Sequence, residues 1–533
     1  MSLKLSRRSF MAAGAATLAA PTLARPGLAT ASPSVLRLIP ETDLSLFDPV
    51  WTTATNARNH GYLVFDTLWG QDDDNVMQPQ MVAGHVLEND GKQWTITLRD
   101  GLKFHDGEPV RAQDVVPSIR RFCARDAFGQ ALMEATDELS VVDDKTFRFR
   151  LKRPFPLLPN ALGKPGTPMP CIMPERLALT SPTKQVTEMV GSGPFRFLKD
   201  EFVSGSRAVY ARFDGYVPCP HGKASFTAGP KVAHFERVEW TSIPDAQTAA
   251  NALVQGEADW WQTPTGDLMP MLEANSKIET KVLDQAGGIG VLRFNFLFPP
   301  FDNPAIRRAL LGAVDQSEFM IASQGEDPRY WKDKVGVFSP ASPMATDVGI
   351  GVLTGKRDLE KVKREIAAAG YKGEKVVILG TSDYPYMNAM ALVAADMLQK
   401  VGMNVDFQAE DWGTTVQRRT SRKSPENGGW SIFVTYLNGT NNYDPAGQLG
   451  IRGNGDKAWS GWPNMPKLEE LRQAWFEAPD LAAQRKICEQ IQQDVWQEVP
   501  YIPLGCAYFP VAYRKGLVGM RSGFVQFYDV RWA

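Results

Sequence analysis

The chain has 533 residues, 43% of them hydrophobic and 22% charged, with a formal net charge of -2. That is enough apolar material for more than one core, which predicts a globular, multi-lobed protein. Lysine and arginine are spread along the sequence rather than massed, so an electrostatic footprint for nucleic acid is missing and such a partner is excluded.

The first local signal is Ser6-Arg7-Arg8-Ser9-Phe10 ahead of an Ala-rich, weakly apolar run from Met11 to Ala20. It resembles a twin-arginine export signal, and Ala29-Thr30-Ala31 offers the small residues that signal peptidase requires. An ordinary basic tail would explain neither feature. Residues 1–31 are therefore read as a signal peptide, with the mature chain starting near Ser32. Because the signal does not end in a cysteine, the mature protein is expected free in the periplasm rather than lipid-anchored. Elsewhere, uninterrupted apolar stretches fall short of the ~18 residues of a membrane span.

Five cysteines (Cys123, Cys171, Cys219, Cys488, Cys506) lie far apart, and an odd number in an oxidising compartment allows at most one disulfide without naming its partners. The five histidines show no H-x-x-x-H spacing, so neither a metal site nor a cofactor is expected.

In chain order, Val35–Leu38 is a short apolar run, Leu44–Val50 a loop, and Ala57–Trp69 a helix with Tyr62, Phe65, Leu68 and Trp69 on one face. Trp94–Arg99 alternates apolar and polar residues, and Asp100-Gly101 predicts a hairpin into Leu102-Lys103-Phe104. A helix follows from Arg111 to about Cys123. Leu139–Val142 and Thr146–Leu151 form a strand pair across Asp143-Asp144, and 154–174 is irregular. Gly191-Ser192-Gly193-Pro194 breaks the chain before the strand Phe195–Leu198. Val238–Ile243 is a strand leading into the helix Ala246–Gln255, and then comes the pair Trp260-Trp261. Gly287–Leu297 reverts to strand, and Asn303–Ala313 is a helix entered through Asn303-Pro304. The next alternation, helix Leu359–Ala369, strand Val376–Gly380, helix Ala389–Val401 and strand Asn404–Gln408, implies an α/β lobe on a largely parallel sheet. Two helices, Leu468–Phe476 and Leu481–Glu498, precede the apolar run Tyr501–Phe509 and a final strand near Phe524–Tyr528.

Enzyme motifs are absent. Gly380-Thr381-Ser382-Asp383-Tyr384 lacks the closing glycine of a nucleophile elbow, and Gly351–Arg357 is one residue short of a phosphate loop. Asp72-Asp73-Asp74 reads as a solvated loop.

Several segments together resemble the extracellular solute-binding protein family 5, which includes oligopeptide, dipeptide and nickel-chelate binding proteins of ABC importers. The segment from Trp94 through Arg99-Asp-Gly101, Phe104-His105-Asp106-Gly107 and Pro109 to Asp114-Val115 reproduces the family's signature nearly position by position. Gly191-Ser-Gly-Pro194-Phe195, Ile243-Pro-Asp245, Gly256-Glu257-Ala258-Asp259, Pro300-Phe301-Asp302-Asn303 and Glu498-Val-Pro500-Tyr-Ile502-Pro503 come after it in the right order.

The resemblance implies an α/β fold of the periplasmic-binding-protein type II: two lobes, a hinge and an extra subdomain inserted in lobe I. Lobe I would comprise 32–72, 188–285 and 501–533, with the inserted subdomain at 73–187 and lobe II at 286–500. The crossings would lie near Asp284–Gly290 and Glu498–Leu504. It further implies a monomer without catalytic function that captures a peptide or similar polar solute in the cleft and delivers it to the transmembrane subunits of an ABC permease. A sensing or chaperone-like role uncoupled from import is the alternative.

The same resemblance implies candidate ligand-binding residues. Trp261 lies at a strand end, although Trp260 and Trp261 point to opposite faces and either could be core. Trp412 with Arg418 and Arg419 stands where peptide binders reach the ligand, and a guanidinium there could pair with a carboxylate. The bland reading of both arginines is a solvated basic stretch with Arg422 and Lys423. Tyr436, Asn438 and Asn441 occupy the region where peptide binders place an aromatic followed by an ammonium-gripping aspartate. Here asparagines replace that acid and Asp444 comes later, which points to a modified peptide, an opine-like conjugate or another acid.

Overall fold

The computed structural model describes residues 34–478 and 480–533. The twin-arginine motif and the cleavage site expected before Ser32 lie outside the described residues.

Two large sheets organise the chain. The first has seven strands in the order Ile278–Val282, Pro510–Arg514, Trp260–Trp261, Val35–Ile39, Arg237–Thr241, Arg207–Arg212 and Phe195–Phe197. Val35–Ile39 runs parallel to both neighbours, Arg237–Thr241 and Trp260–Trp261, which the helix Ala246–Gln255 connects as a crossover. That helix starts where Asp245 Oδ1 accepts the Thr248 N–H at 2.7 Å and stops at Gly256, whose φ of 79° suits glycine.

The second sheet has six strands in the order Trp331–Lys332, Tyr501–Ala507, Gly288–Phe294, Ile432–Asn438, Lys375–Thr381 and Asn404–Glu410. The expected parallel arrangement holds for the last three, where Pro385–Lys400 is the crossover helix. It fails for the rest. Gly288–Phe294 is antiparallel to both of its neighbours, because it enters from the first sheet rather than through a helical crossover.

A smaller antiparallel sheet, Val82–Glu88, Gln93–Leu98, Thr146–Leu151 and Thr136–Val141, packs with the helices Ala112–Cys123 and Ala127–Ala135. The hairpin expected across Asp100-Gly101 is not formed. Gln93–Leu98 pairs instead with Val82–Glu88, across Asn89-Asp90-Gly91, all at positive φ, and with Thr146–Leu151. Leu102–Phe104 is too short to cover that six-residue strand before the chain turns at Gly107, and it makes one bridge, Lys103 to Pro109.

Three further expectations change. The first helix spans Thr55–Val64 and does not reach Trp69. Its last carbonyls are taken by the Gly191–Pro194 segment: Gly193 N–H donates to Val64 O at 2.9 Å, and a Cβ on Gly191 would stand 2.1 Å from that oxygen. Phe524–Tyr528 is irregular rather than a strand, its rings wedged against Tyr62, Phe226, Trp240 and Trp260. All five cysteines are buried and unpaired.

The chain passes between the two large sheets twice, at 283–287 and at Tyr508–Phe509. The second passage lies beyond Glu498–Leu504, because Tyr501–Ala507 joins the second sheet before the chain returns.

Buried ion pairs fix the N-terminal region. Lys231 Nζ and Asp66 Oδ1 meet at 2.7 Å with both side chains fully buried, and Asp66 also accepts from Tyr216 OH and Thr67 N–H. Lys231→Met leaves that carboxylate buried without its cation, a loss of about 3–5 kcal/mol. Urea unfolding of the variant checks this, and a midpoint equal to that of the parent contradicts it.

Candidate functional site

Two adjoining chambers open between the segments that follow the strands of both sheets. Glu41 follows Val35–Ile39, Gln262 follows Trp260–Trp261, Tyr384 follows Lys375–Thr381, Trp412 follows Asn404–Glu410, and Asn438 ends Ile432–Asn438. These are carboxyl ends of parallel strands, where open α/β sheets hold ligands. Thr55, Tyr436 and Asn438 line both chambers.

The first chamber is built around Arg419 at the end of the helix Trp412–Arg418. Its guanidinium sits 5.2 Å from the Trp412 ring, 5.4 Å from Trp459 and 5.6 Å from Phe433, within cation–π range of all three. Its side chain makes one hydrogen bond, from Nη2 to Thr53 Oγ1 at 3.2 Å, and no ion pair among the described residues. Burial, with Arg125 nearby, pushes its pKa down to about 10. The contrast with the structural arginines is informative. Arg293 is equally buried but donates to the carbonyls of Ser460, Gly450, Pro500 and Trp459, and Arg307 donates to those of Glu498 and Phe301. Arg419 alone of these three has its donors free along a cavity. A guanidinium enclosed this far with a single protein acceptor is placed to pair with an anion entering the chamber.

Around this cation, hydroxyls and amides reach across from the first sheet's side. Tyr384 OH and Thr42 Oγ1 are 3.2 Å apart, Tyr436 OH and Thr55 Oγ1 2.7 Å, and Asn441 Nδ2 donates to Thr167 O at 3.0 Å. Tyr386 OH donates to Glu41 Oε1 at 2.6 Å.

The second chamber contains Glu41, Arg58 and Asp284. Burial raises the Glu41 carboxyl to about 7 against the hydrogen bond from Tyr386 and the charge of Arg58. Burial likewise raises Asp284 and lowers Arg58.

Of the residues expected at the site, Trp412, Arg419, Tyr436, Asn438 and Asn441 come together on the first chamber. Two do not. Trp261 is packed with Ile39, Leu253 and Leu272 beneath the helix Ala246–Gln255, while Trp260 is buried on the opposite face beside Phe527. Both tryptophans are core, and it is the next residues, Gln262 and Thr263, that reach a chamber. Arg418 is held by Glu410, Gln408 and the Gly429 carbonyl, away from either chamber. Asp444 is also withdrawn, accepting from Ala446 N–H at 2.9 Å with burial raising its pKa. The acids of the cleft are instead Glu41 and Asp284. The sequence carried a faint signal for them: single charges beside strand ends, and one arginine in the otherwise apolar and neutral turns of 55–64.

The model of "Bacterial extracellular solute-binding proteins, family 5 Middle" matches residues 76–459. This chain belongs to that family. The "Probable peptide ABC transporter periplasmic-binding protein y4tO" of Sinorhizobium fredii (strain NBRC 101917 / NGR234) is 38% identical over 526 residues, covering 97% of each chain. Among solved structures, the binding protein AgaA in complex with agropinic acid, from A. tumefacien R10, superposes with a TM-score of 0.78 at 21% identity, covering 94% of this chain and 99% of that one. The dipeptide-binding protein of Pseudoalteromonas sp. SM9913 with Met-Leu gives 0.77 at 18% identity, over 94% and 100%. This family 5 member therefore has the type II periplasmic-binding-protein fold, and its family is one of binding proteins.

The raised Glu41 carboxyl has a signed consequence. Its folded pKa of about 7 lies above the ordinary 4.5, so the folded state holds the proton more tightly. Its contribution to stability is whole below pH 4.5 and drains as pH rises through 7, by about 3 kcal/mol in all. Glu41→Gln removes this term. Urea unfolding at pH 5 and pH 8 is expected to show the variant gaining on the parent at pH 8, and an equal difference at both pH values contradicts the assignment.

Proposed function

We propose that this family 5 protein is the periplasmic capture component of an ABC importer, and that its solute is a peptide-like or other polar organic molecule anchored through a carboxylate on Arg419. The observation that carries this reading is the buried guanidinium walled by Trp412, Trp459 and Phe433 with one threonine hydroxyl as its partner. The aromatic walls exclude water, which strengthens an ion pair made there, and they present flat apolar area to a solute without demanding a particular side chain.

Capture works by differential affinity. We take the two lobes to follow the two large sheets, with 73–187 as the inserted subdomain and the passages at 283–287 and Tyr508–Phe509 as the hinge. A solute touching Arg419 from one lobe and Thr53 or Thr55 from the other favours the closed arrangement, and a membrane permease that reads closure then receives loaded protein. Delivery to permease subunits, rather than sensing, is the reading favoured by the relationship to y4tO, whose name is that of an ABC transporter binding protein. The protein acts as a monomer without a catalytic step. Among the described residues no helix is long and apolar enough to cross a membrane. Export is assigned to the twin-arginine signal, with release at Ser32 and without a lipid anchor.

Two experiments test these points. Changing Arg7 and Arg8 to lysine is expected to hold the precursor in the cytoplasm, seen by fractionation and by N-terminal sequencing of the exported parent at or near Ser32; normal processing of the double variant contradicts the signal assignment. For the cleft, a thermal-shift panel of the mature protein with dipeptides, N-acylated peptides and amino-acid conjugates, each also as its carboxamide, identifies binders. Free carboxylates are expected to stabilise and carboxamides not. By isothermal titration, Arg419→Gln is expected to weaken the best binder by about 30-fold or more. Equal binding of acid and amide contradicts the anchor.

A further inference from the structure

The second chamber holds charges that a single carboxylate on Arg419 leaves unused, and assigning them a ligand rests on that reading of Arg419. Arg58 is buried on the helix Thr55–Val64, with its guanidinium 4.0 Å from the Phe524 ring. Nε and Nη2 both donate to Asn59 Oδ1, at 3.3 and 3.2 Å, whereas Nη1 is buried with no partner. Across the same space, Glu41 Oε1 accepts from Tyr386 OH while Oε2 is buried with no partner. Asp284 stands on the wall, with Oδ1 accepting the Ala286 N–H at 3.0 Å. Neither carboxylate forms an ion pair with Arg58 among the described residues, although the three side chains line one chamber. A free donor on a cation and a free acceptor on an acid, held apart around an open volume, are satisfied together by a group that carries both charges on adjacent atoms.

We propose that the second chamber binds an α-amino-acid head group, its carboxylate on Arg58 and its ammonium on Asp284 and Glu41, while a remote carboxylate of the same solute reaches Arg419. The connecting portion passes Thr55, Tyr436 and Asn438, which border both chambers. The Asn438 amide makes no side-chain hydrogen bond to another described residue, so it is available to a linking amide or hydroxyl. The solute class is therefore an amino acid conjugated through its side chain, with the α-amino and α-carboxyl groups both free. An ordinary dipeptide presents an ammonium next to an amide carbonyl, and Arg58 then faces no anion.

The isomers γ-Glu-Ala and α-Glu-Ala separate these cases, because they share composition and charge and differ only in whether the α-amino-acid head is intact. Isothermal titration of the mature protein is expected to give at least ~10-fold tighter binding of the γ isomer, the value of one charged hydrogen bond. Arg58→Gln is expected to bring the two affinities together. Asp284→Asn, which keeps the acceptor for Ala286 N–H, is expected to weaken both isomers, because both carry the ammonium, and circular dichroism confirms that both variants are folded. The proposal is overturned if the α isomer binds as tightly or more tightly, if the preference survives Arg58→Gln, if Asp284→Asn leaves both affinities unchanged, or if neither isomer binds. The carboxamide of γ-Glu-Ala probes Arg419 separately: binding as tight as the acid sinks the anchor while leaving the isomer ratio standing.

Discussion

The arrangement of this molecule turns on one unmet charge. Arg419 is carried into the interior between two sheets by a short helix whose first residue, Trp412, forms part of its aromatic enclosure, and it arrives there with a single hydroxyl to hold it. The buried arginines Arg293 and Arg307 spend their donors on backbone carbonyls and so act as fixed struts. Arg419 cannot be a strut of that kind. Enclosing a guanidinium in this way removes hydration that one threonine hydroxyl replaces only in part, and in the proposed reading a solute supplies the anion.

The contacts that bridge the cleft suit such a device. Tyr384, Tyr386, Tyr436 and Asn441 from the second sheet's side meet Thr42, Glu41, Thr55 and Thr167 from the other. Arg452 reaches Gln130, and Asn75 reaches Tyr443. Each such hydrogen bond contributes only about 0.5–1.5 kcal/mol net, because water can replace either partner. Two short passages of chain join the large sheets, and in the proposed closure they are the hinge.

Much of the scaffold is legible in the sequence. The helix Ala246–Gln255, bounded by Asp245 and Gly256, and the alternation from Leu359 to Gln408 show through caps and periodicity, which are local properties. Sequence reasoning fails where more distant segments decide. Whether Gln93–Leu98 folds back on Leu102–Phe104 or onto Val82–Glu88 depends on which neighbouring run can cover it, and turn chemistry at Asp100-Gly101 looks as good as that at Asp90-Gly91. The run from Phe524 to Tyr528 has strand composition but is enclosed by aromatic rings on several sides.

The site divides in the same way. Tyr436, Asn438 and Asn441 are set by one strand and its exit, so reading along the chain finds them. Trp261 misleads because alternation along a strand says that two tryptophans face apart, not that both faces are covered. Between Arg418 and Arg419 only three-dimensional surroundings choose: one meets Glu410 and the other meets a cavity. Glu41, Arg58 and Asp284 come from three separate stretches and converge only in the fold.

The most direct measurement is a crystal structure of the mature protein with its tightest-binding solute. An anionic group of that solute is expected about 3 Å from the Arg419 guanidinium, enclosed by Trp412 and Trp459. A solute seated in the cleft with only neutral atoms near Arg419, or with that side chain still facing nothing but Thr53, would contradict the anchor.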